Sequence, residues 1–225
     1  MTAPSVRHVT ILGMRLDHVS YAAERDGLHA TTARLAEALG AEPLDGGIHP
    51  RFGTRNMLLP LKGLQYVEVV ECLDHPASDK APFGQAVRAR SEAGGGWLGW
   101  VVSVDDITPF EQRLGRESVV GNRHRPDGVE LTWKQLGIKG LLSDPQLPYM
   151  VQWTIDDAIR PGADKDSELM IAGLQIAGDP QRVRDWLGTD PAEPLADVDV
   201  EWVAPKGTPG LMAVDFRTPQ GVVRL

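Results

Sequence analysis

The residue pattern predicts an α+β protein. Tandem βαβββ modules should form a cupped, barrel-like mixed sheet with helices outside, followed by a third βαβββ-like unit at the C-terminus. Three observations lead there. A strand-like run, a helix and two or three further strand-like runs recur in that order along the 225 residues. Each helix ends on the same dipeptide, at Leu39-Gly40, Leu114-Gly115 and Leu187-Gly188, with separations of 75 and 73 residues, the mark of a repeated unit. A unit of that size cannot bury both faces of its own sheet, so units should pair around a shared inner cleft.

The first module spans residues 14–74. Its opening strand is Arg15-Leu-Asp-His-Val-Ser-Tyr-Ala22. Leu28, Thr31, Leu35, Ala38 and Leu39 then recur at three- and four-residue steps, the apolar stripe of an amphipathic helix. Asp26 is placed to cap its start and Gly40 to end it. Asp45-Gly46-Gly47 reads as a turn, with strands at Thr54–Leu59 and Leu64–Cys72. The second of these is rich in β-branched and aromatic residues.

The second module, 97–156, opens with Trp97–Val104, continues with a short helix from Ile107 to Leu114, and has strand-like runs at Ser118–Val120, Val129–Leu136 and Pro148–Ile155. The two modules make one domain over 14–158. The third unit, 167–225, has a strand at Leu169–Ile176 and a helix at Pro180–Leu187. Asp179 is its N-cap and Pro180 its first residue. Strands follow at Val198–Val203, Leu211–Phe216 and Val222–Leu225. The polar, Pro-bearing stretches His75–Pro82 and Ile159–Ser167 read as seams between units.

Composition narrows the function. Lys and Arg total 23 against 31 Asp and Glu, a net charge of −8. That balance argues against nucleic acid as a partner, since such binding neutralises phosphates with a basic face. No apolar run reaches the ~18 residues of a membrane span, and Val9–Met14 is too short for a signal peptide. The single cysteine, Cys72, rules out an intrachain disulfide framework and a cysteine zinc cluster. A cytoplasmic protein is expected. Gly94–Gly99 matches G-x-G-x-x-G but precedes a strand, so no nucleotide cofactor is expected.

Taken in order, Leu16-Asp17-His18-Val19, Leu39-Gly40, Gly46-Gly47-Ile48-His49-Pro50, Gly53-Thr54-Arg55-Asn56 and Tyr66-Val67-Glu68-Val69-Val70 resemble the glyoxalase-like branch of the vicinal oxygen chelate superfamily. Leu147–Trp153 fits the closing strand of a second module in that branch, and Thr218-Pro219-Gln220-Gly221 fits the hairpin near a module's end. The resemblance implies paired βαβββ modules around a small-molecule site. It also implies a divalent metal held by His and Glu from first and last strands, and chemistry ranging over lyase, isomerase, epimerase and dioxygenase reactions. Some such proteins only bind a drug.

Side chains alternate along a strand. His18 shares a face with Leu16 and Ser20, and Glu68 shares one with Tyr66 and Val70. If both faces line the cup, His18 and Glu68 converge as catalytic residues or as ligands for Mn, Fe, Ni or Zn, or Glu68 serves as a general base. Glu is depleted in strands and costly to bury alone, which singles Glu68 out. The matching places in module two fall near Gly99 or Trp100 and at Gln152. None is a good ligand, so His49 is the best candidate to complete a metal site, and a metal-free site is the other outcome.

Arg51 and Arg55 are candidates to clamp a substrate anion, and Asn56 to orient a carbonyl. Trp97, Trp100, Trp133 and Trp153 are candidate aromatic walls. Arg123-His124-Arg125 reads as a solvated turn. Two functions remain: an enzyme using His18 and Glu68, with His49, Arg55, Asn56, Trp100 and Gln152 holding the substrate, or a non-catalytic small-molecule-sequestering protein. The third unit either packs on the first two or pairs with a second copy as a homodimer.

Overall fold

A computed structural model describes residues 13–163 and 166–225. Most of Val9–Met14 and two residues of the second seam, Asp164 and Lys165, lie outside the described residues. The elements, in order, are β1 (Arg15–Ala22), α1 (Leu28–Leu39), β2 (Leu44–His49), β3 (Thr54–Pro60), β4 (Tyr66–Cys72), α2 (Pro76–Lys80), α3 (Pro82–Glu92), β5 (Gly96–Ser103), α4 (Thr108–Leu114), β6 (Val119–His124), β7 (Glu130–Leu136), α5 (Gly140–Ser143), β8 (Tyr149–Trp153), β9 (Met170–Ala177), α6 (Pro180–Leu187), β10 (Asp199–Val203), β11 (Gly210–Thr218) and β12 (Gly221–Arg224). Among the described residues no helix is long and apolar enough to cross a membrane.

Strands β1 to β8 close into a barrel in the order β1-β4-β3-β2-β6-β7-β8-β5. Within each module the first strand runs parallel to the last, β1 to β4 and β5 to β8. The modules join through antiparallel β1–β5 pairing and through β2–β6, where Ile48 faces His124. Closure removes the sheet edges that two open modules would expose. This is the cupped body that the repeated element order predicts.

Helix α1 buries Leu28, Thr31, Thr32, Leu35, Ala36 and Leu39, and Gly40 ends it at φ 66, a conformation that favours glycine. Its start corrects the sequence reading. Gly27 is the N-cap without a side-chain cap, and Asp26 instead pairs with Arg34. Asp45-Gly46-Gly47 is no turn either. It lies inside β2 at a bulge, where a Cβ on Gly46 would collide with the Asn56 amide and one on Gly47 with the His124 carbonyl. The glycines let β2 press against β3 and β6 together.

The first seam lies between β4 and β5 and is helical, not an open linker. His75–Pro82 belongs to α2 and α3, each with a proline in its first turn. Pro starts helices as readily as it breaks them, and α3 buries Phe83, Ala86 and Val87.

The third unit keeps the β-α-β-β-β order, but its strands pair as β10-β9-β11-β12. Its first strand is therefore central, bonded to β10 in parallel and β11 in antiparallel, where the first strand of the other modules pairs with the fourth. This sheet covers the outside of the β1–β5 junction. Leu16, Trp97, Trp100 and Val102 share one apolar cluster with Ile171, Leu174 and Phe216. Trp97 stacks on Phe216 and its indole donates to the Leu225 carbonyl.

Candidate active site

Inside the barrel a narrow cavity, with about 30 Å³ of free volume, is lined by His18, His49, Tyr66, Glu68, Arg123 and Tyr149 together with a ring of Phe52, Phe83, Trp133 and Trp153. Glu68 is at its centre, 5% exposed. Ser20 donates to Glu68 Oε2 at 2.8 Å and Asn56 Nδ2 to Oε1 at 2.8 Å. His18 Nε2 stands 3.9 Å from Oε2 and His49 Nε2 3.8 Å from Oε1. The predicted convergence of His18 with Glu68 is therefore present, with His49 and Asn56 beside them.

Burial by itself would raise the pKa of Glu68. The charges of His18 and His49 when protonated, and the hydrogen bonds from Ser20 and Asn56, outweigh burial and hold it below the ordinary carboxylate value. Burial pushes His49 down to about 4, with Arg123 adding to that and Glu68 opposing it. At neutral pH Glu68 is thus a carboxylate and His49 a neutral ring. Tyr66 and Tyr149 are raised well above 10, by burial first and by neighbouring carboxylates next, so both phenols stay protonated.

Strand alternation hides one residue of the site. β1 carries a bulge between Leu16 and His18, which leaves Asp17 as the extra residue and re-aims it. Its Oδ1 lies 2.7 Å from His18 Nδ1, and its Oδ2 accepts from Arg160 at 2.6 Å and from the Trp153 indole at 3.0 Å. Burial would raise Asp17, but the His18 hydrogen bond and the charges of His18 and Arg160 bring it below its ordinary value. An ionised carboxylate can only accept, so His18 carries a proton on Nδ1. In the neutral ring Nε2 is then an acceptor, 3.2 Å from the Tyr149 hydroxyl. The His18 ring also stacks on Tyr66, centroids 4.4 Å apart.

Three candidates stand elsewhere. Arg55 points outward from β3 and pairs with Glu71 through Nε at 2.8 Å. Trp100 is fully buried on the outer face of β5, its indole donating to the Gln146 carbonyl. Gln152 alternates away from Tyr149, Val151 and Trp153, which line the cavity. Its amide instead bonds the Asp105 carbonyl and the Ile107 amide ahead of α4. A one-residue shift in matching β8 to β4 reverses the face. Arg51 is exposed, and Trp97 faces the third unit with Trp100.

Arg123, read as part of a solvated turn, is on β6 and only 3% exposed. The Gly121/Arg123 alternation on that strand was the available signal, but Pro126 and Gly128 masked it.

The donor set does not fit a resident divalent ion as it stands. Among the described residues no three His, Cys, Asp or Glu groups have ligand spacing. Two ligand atoms on a tetrahedral ion lie about 3.4 Å apart, whereas the two rings stand at 3.9 and 3.8 Å from different oxygens of Glu68.

The model of the glyoxalase-like domain family matches residues 16–190, covering both barrel modules and the start of the third unit. The chain belongs to this family. As a glyoxalase-like protein it falls within the vicinal oxygen chelate superfamily, in agreement with the resemblance drawn from Leu16–Val19 and Tyr66–Val70. No curated protein matches it significantly.

Among solved structures, the glyoxalase-like chain is similar to a hypothetical protein from Staphylococcus aureus, with TM-score 0.64 and 14% identity over 94% of this chain and 98% of that one. That likeness shows a shared fold across nearly the whole chain. Lesser similarity extends to methylmalonyl-CoA epimerase from Mycobacterium tuberculosis (TM-score 0.41, 18% identity, 68% of this chain and 91% of that one). It extends likewise to a mutant 4-hydroxymandelate synthase from Streptomyces coelicolor (TM-score 0.43, 13% identity, 95% and 62%).

Proposed function

We propose that this glyoxalase-like protein is an enzyme that moves a proton on a small carbonyl compound, with Glu68 as the base. One observation carries the reading. A buried, ionised carboxylate opens onto an aromatic-walled cavity, flanked by two imidazoles within 4 Å. Glu68 takes a proton from a carbon next to the carbonyl, and the C–H electron pair moves to the carbonyl oxygen as an enolate. The Tyr149 hydroxyl, kept protonated by burial, turns its one proton from His18 Nε2 to that oxygen. Return of the proton to the same carbon gives epimerisation. In a 2-hydroxy ketone, transfer of the hydroxyl proton to the enolate oxygen and return of the carbon-bound proton to the neighbouring carbon give isomerisation, with nothing gained or lost. Asp17 fixes the tautomer of His18, and Asn56 and Ser20 fix the carboxylate. The reaction needs no metal. Elemental analysis of the untagged protein tests whether an ion is held beside His18, Glu68 and His49.

The test is hydrogen–deuterium exchange in D₂O over a panel of small 2-keto acids and 2-hydroxy ketones. At least one should take up deuterium with the wild type, and Glu68→Gln should slow that by about a hundredfold or more. Exchange at the wild-type rate in Glu68→Gln would reject the base.

The ring of Phe52, Phe83, Trp133 and Trp153 favours a second reading, capture of a flat ligand without chemistry. It requires that the ligand be recovered unlabelled and that Glu68→Gln still bind it. A cytoplasmic setting and a homodimer belong to this proposal too, and sedimentation velocity checks the second.

A further inference from the structure

Among the described residues, Arg123 is a buried cation of the barrel without an ion pair. Its guanidinium is buried on β6, in the wall between the central cavity and a second cavity of about 220 Å³ that Asp45, Gly46, Arg125 and Arg160 also line. Among the described residues it has no carboxylate within 4 Å and no side-chain hydrogen bond, and its Nε is enclosed without a partner.

The contrast with its neighbours makes this informative. Arg160, equally buried, is held by Asp17 at 2.6 Å and Asp157 at 3.0 Å. Arg125 is held by Asp127 at 2.7 Å. Glu68 of the central cavity and Asp45 of the second cavity act on Arg123 only from beyond 4 Å, and neither pairs with it. A guanidinium enclosed without a counter-charge is costly and is not retained for stability. Its planar fork of donors suits a two-oxygen anion.

We propose that Arg123 is the anion-binding residue of this cavity, and that the ligand carries a carboxylate or phosphoryl oxyanion which supplies the missing counter-charge. The assignment rests on reading the cavity as a ligand site, and it names the substrate class for the proton transfer above: a carbonyl compound that also bears an oxyanion. With the oxyanion on Arg123, the carbon beside it is presented to Glu68 across the barrel.

The experiment titrates the full chain with malonate, acetate and inorganic phosphate, using neutral malonamide and chloride at matched ionic strength as controls. The readouts are thermal shift and the ¹⁵N–¹H resonance of the Arg123 side chain. A saturable shift with an oxyanion, absent with malonamide and chloride, is expected. Malonate or acetate as the effective probe identifies a carboxylate ligand, and phosphate a phosphoryl one. Arg123→Gln should weaken that binding about tenfold or more, and Arg123→Lys should retain part of it.

Oxyanion binding no stronger than chloride, or equal binding by Arg123→Gln, overturns the assignment. If Arg123→Gln does not fold, a wild-type Arg123 resonance that stays still on titration overturns it instead. Glu68→Gln separates this proposal from the previous one. It should keep the oxyanion titration while losing exchange, and oxyanion binding through Arg123 without deuterium uptake from any carbonyl compound would reject the proton transfer alone.

Discussion

Asp17 is the residue on which the site's geometry depends. A bulge turns it inward, and there one carboxylate meets the His18 ring, the Arg160 guanidinium and the Trp153 indole. Asp17→Asn removes the charge and leaves one acceptor oxygen where His18 and Arg160 each use one, so one of the two loses its partner there. A denaturant titration should show a loss of about 3 kcal/mol. A variant within 1 kcal/mol of wild type would show that Arg160 is satisfied by other means.

His49 supplies a pH signature at the same scale. Its folded pKa of about 4 lies below the 6.5 of the free side chain. Between those values the unfolded chain holds more proton, so stability rises with pH through the window and is lost as pH falls from 6.5 towards 4. Wild type should lose about 2 kcal/mol more than His49→Gln between pH 7 and pH 5. Equal urea midpoints for the two proteins across that range would contradict a buried neutral ring.

Among the elements, β2 and β6 show how local sequence is overruled by packing. Gly46-Gly47 has the composition of a turn, yet β2 runs through it because a strand must approach β3 and β6 at once. Gly47 has φ 101, and a side chain there would meet the His124 carbonyl. Gly47→Ala should therefore open the β2–β6 seam and cost about 2 kcal/mol or more, seen as faster amide exchange along Ile48 and His49. Unchanged protection would place the closure elsewhere. On β6, the run Arg123-His124-Arg125 looks solvated because it is basic and followed by Pro126 and Gly128. Only the barrel shows that Arg123 faces inward while His124, beside it, stays exposed.

At the scale of the molecule, the third unit is a cover for the barrel. One apolar cluster runs from Leu16 and Trp100 into Leu174 and Phe216, and each Å² it keeps from water contributes roughly 25 cal/mol. A chain ending at residue 158 should expose that face, bind a hydrophobic dye and lose solubility. A monodisperse, dye-free truncated barrel would show that the cover is dispensable.

Most strands, the helices α1, α4 and α6 with their C-terminal ends, and the convergence of His18 with Glu68 were legible in the chain, while β2, α2, α3 and α5 were not. Those features rest on local periodicity, on glycine after a helix, and on a charged residue set in an apolar strand. Tertiary structure alone decided the rest. The β2–β6 seam, the bulge at Asp17, the inward turn of Arg123 and the outward turn of Gln152 each depend on register between strands distant in sequence. A shift of one residue there exchanges the inside for the outside.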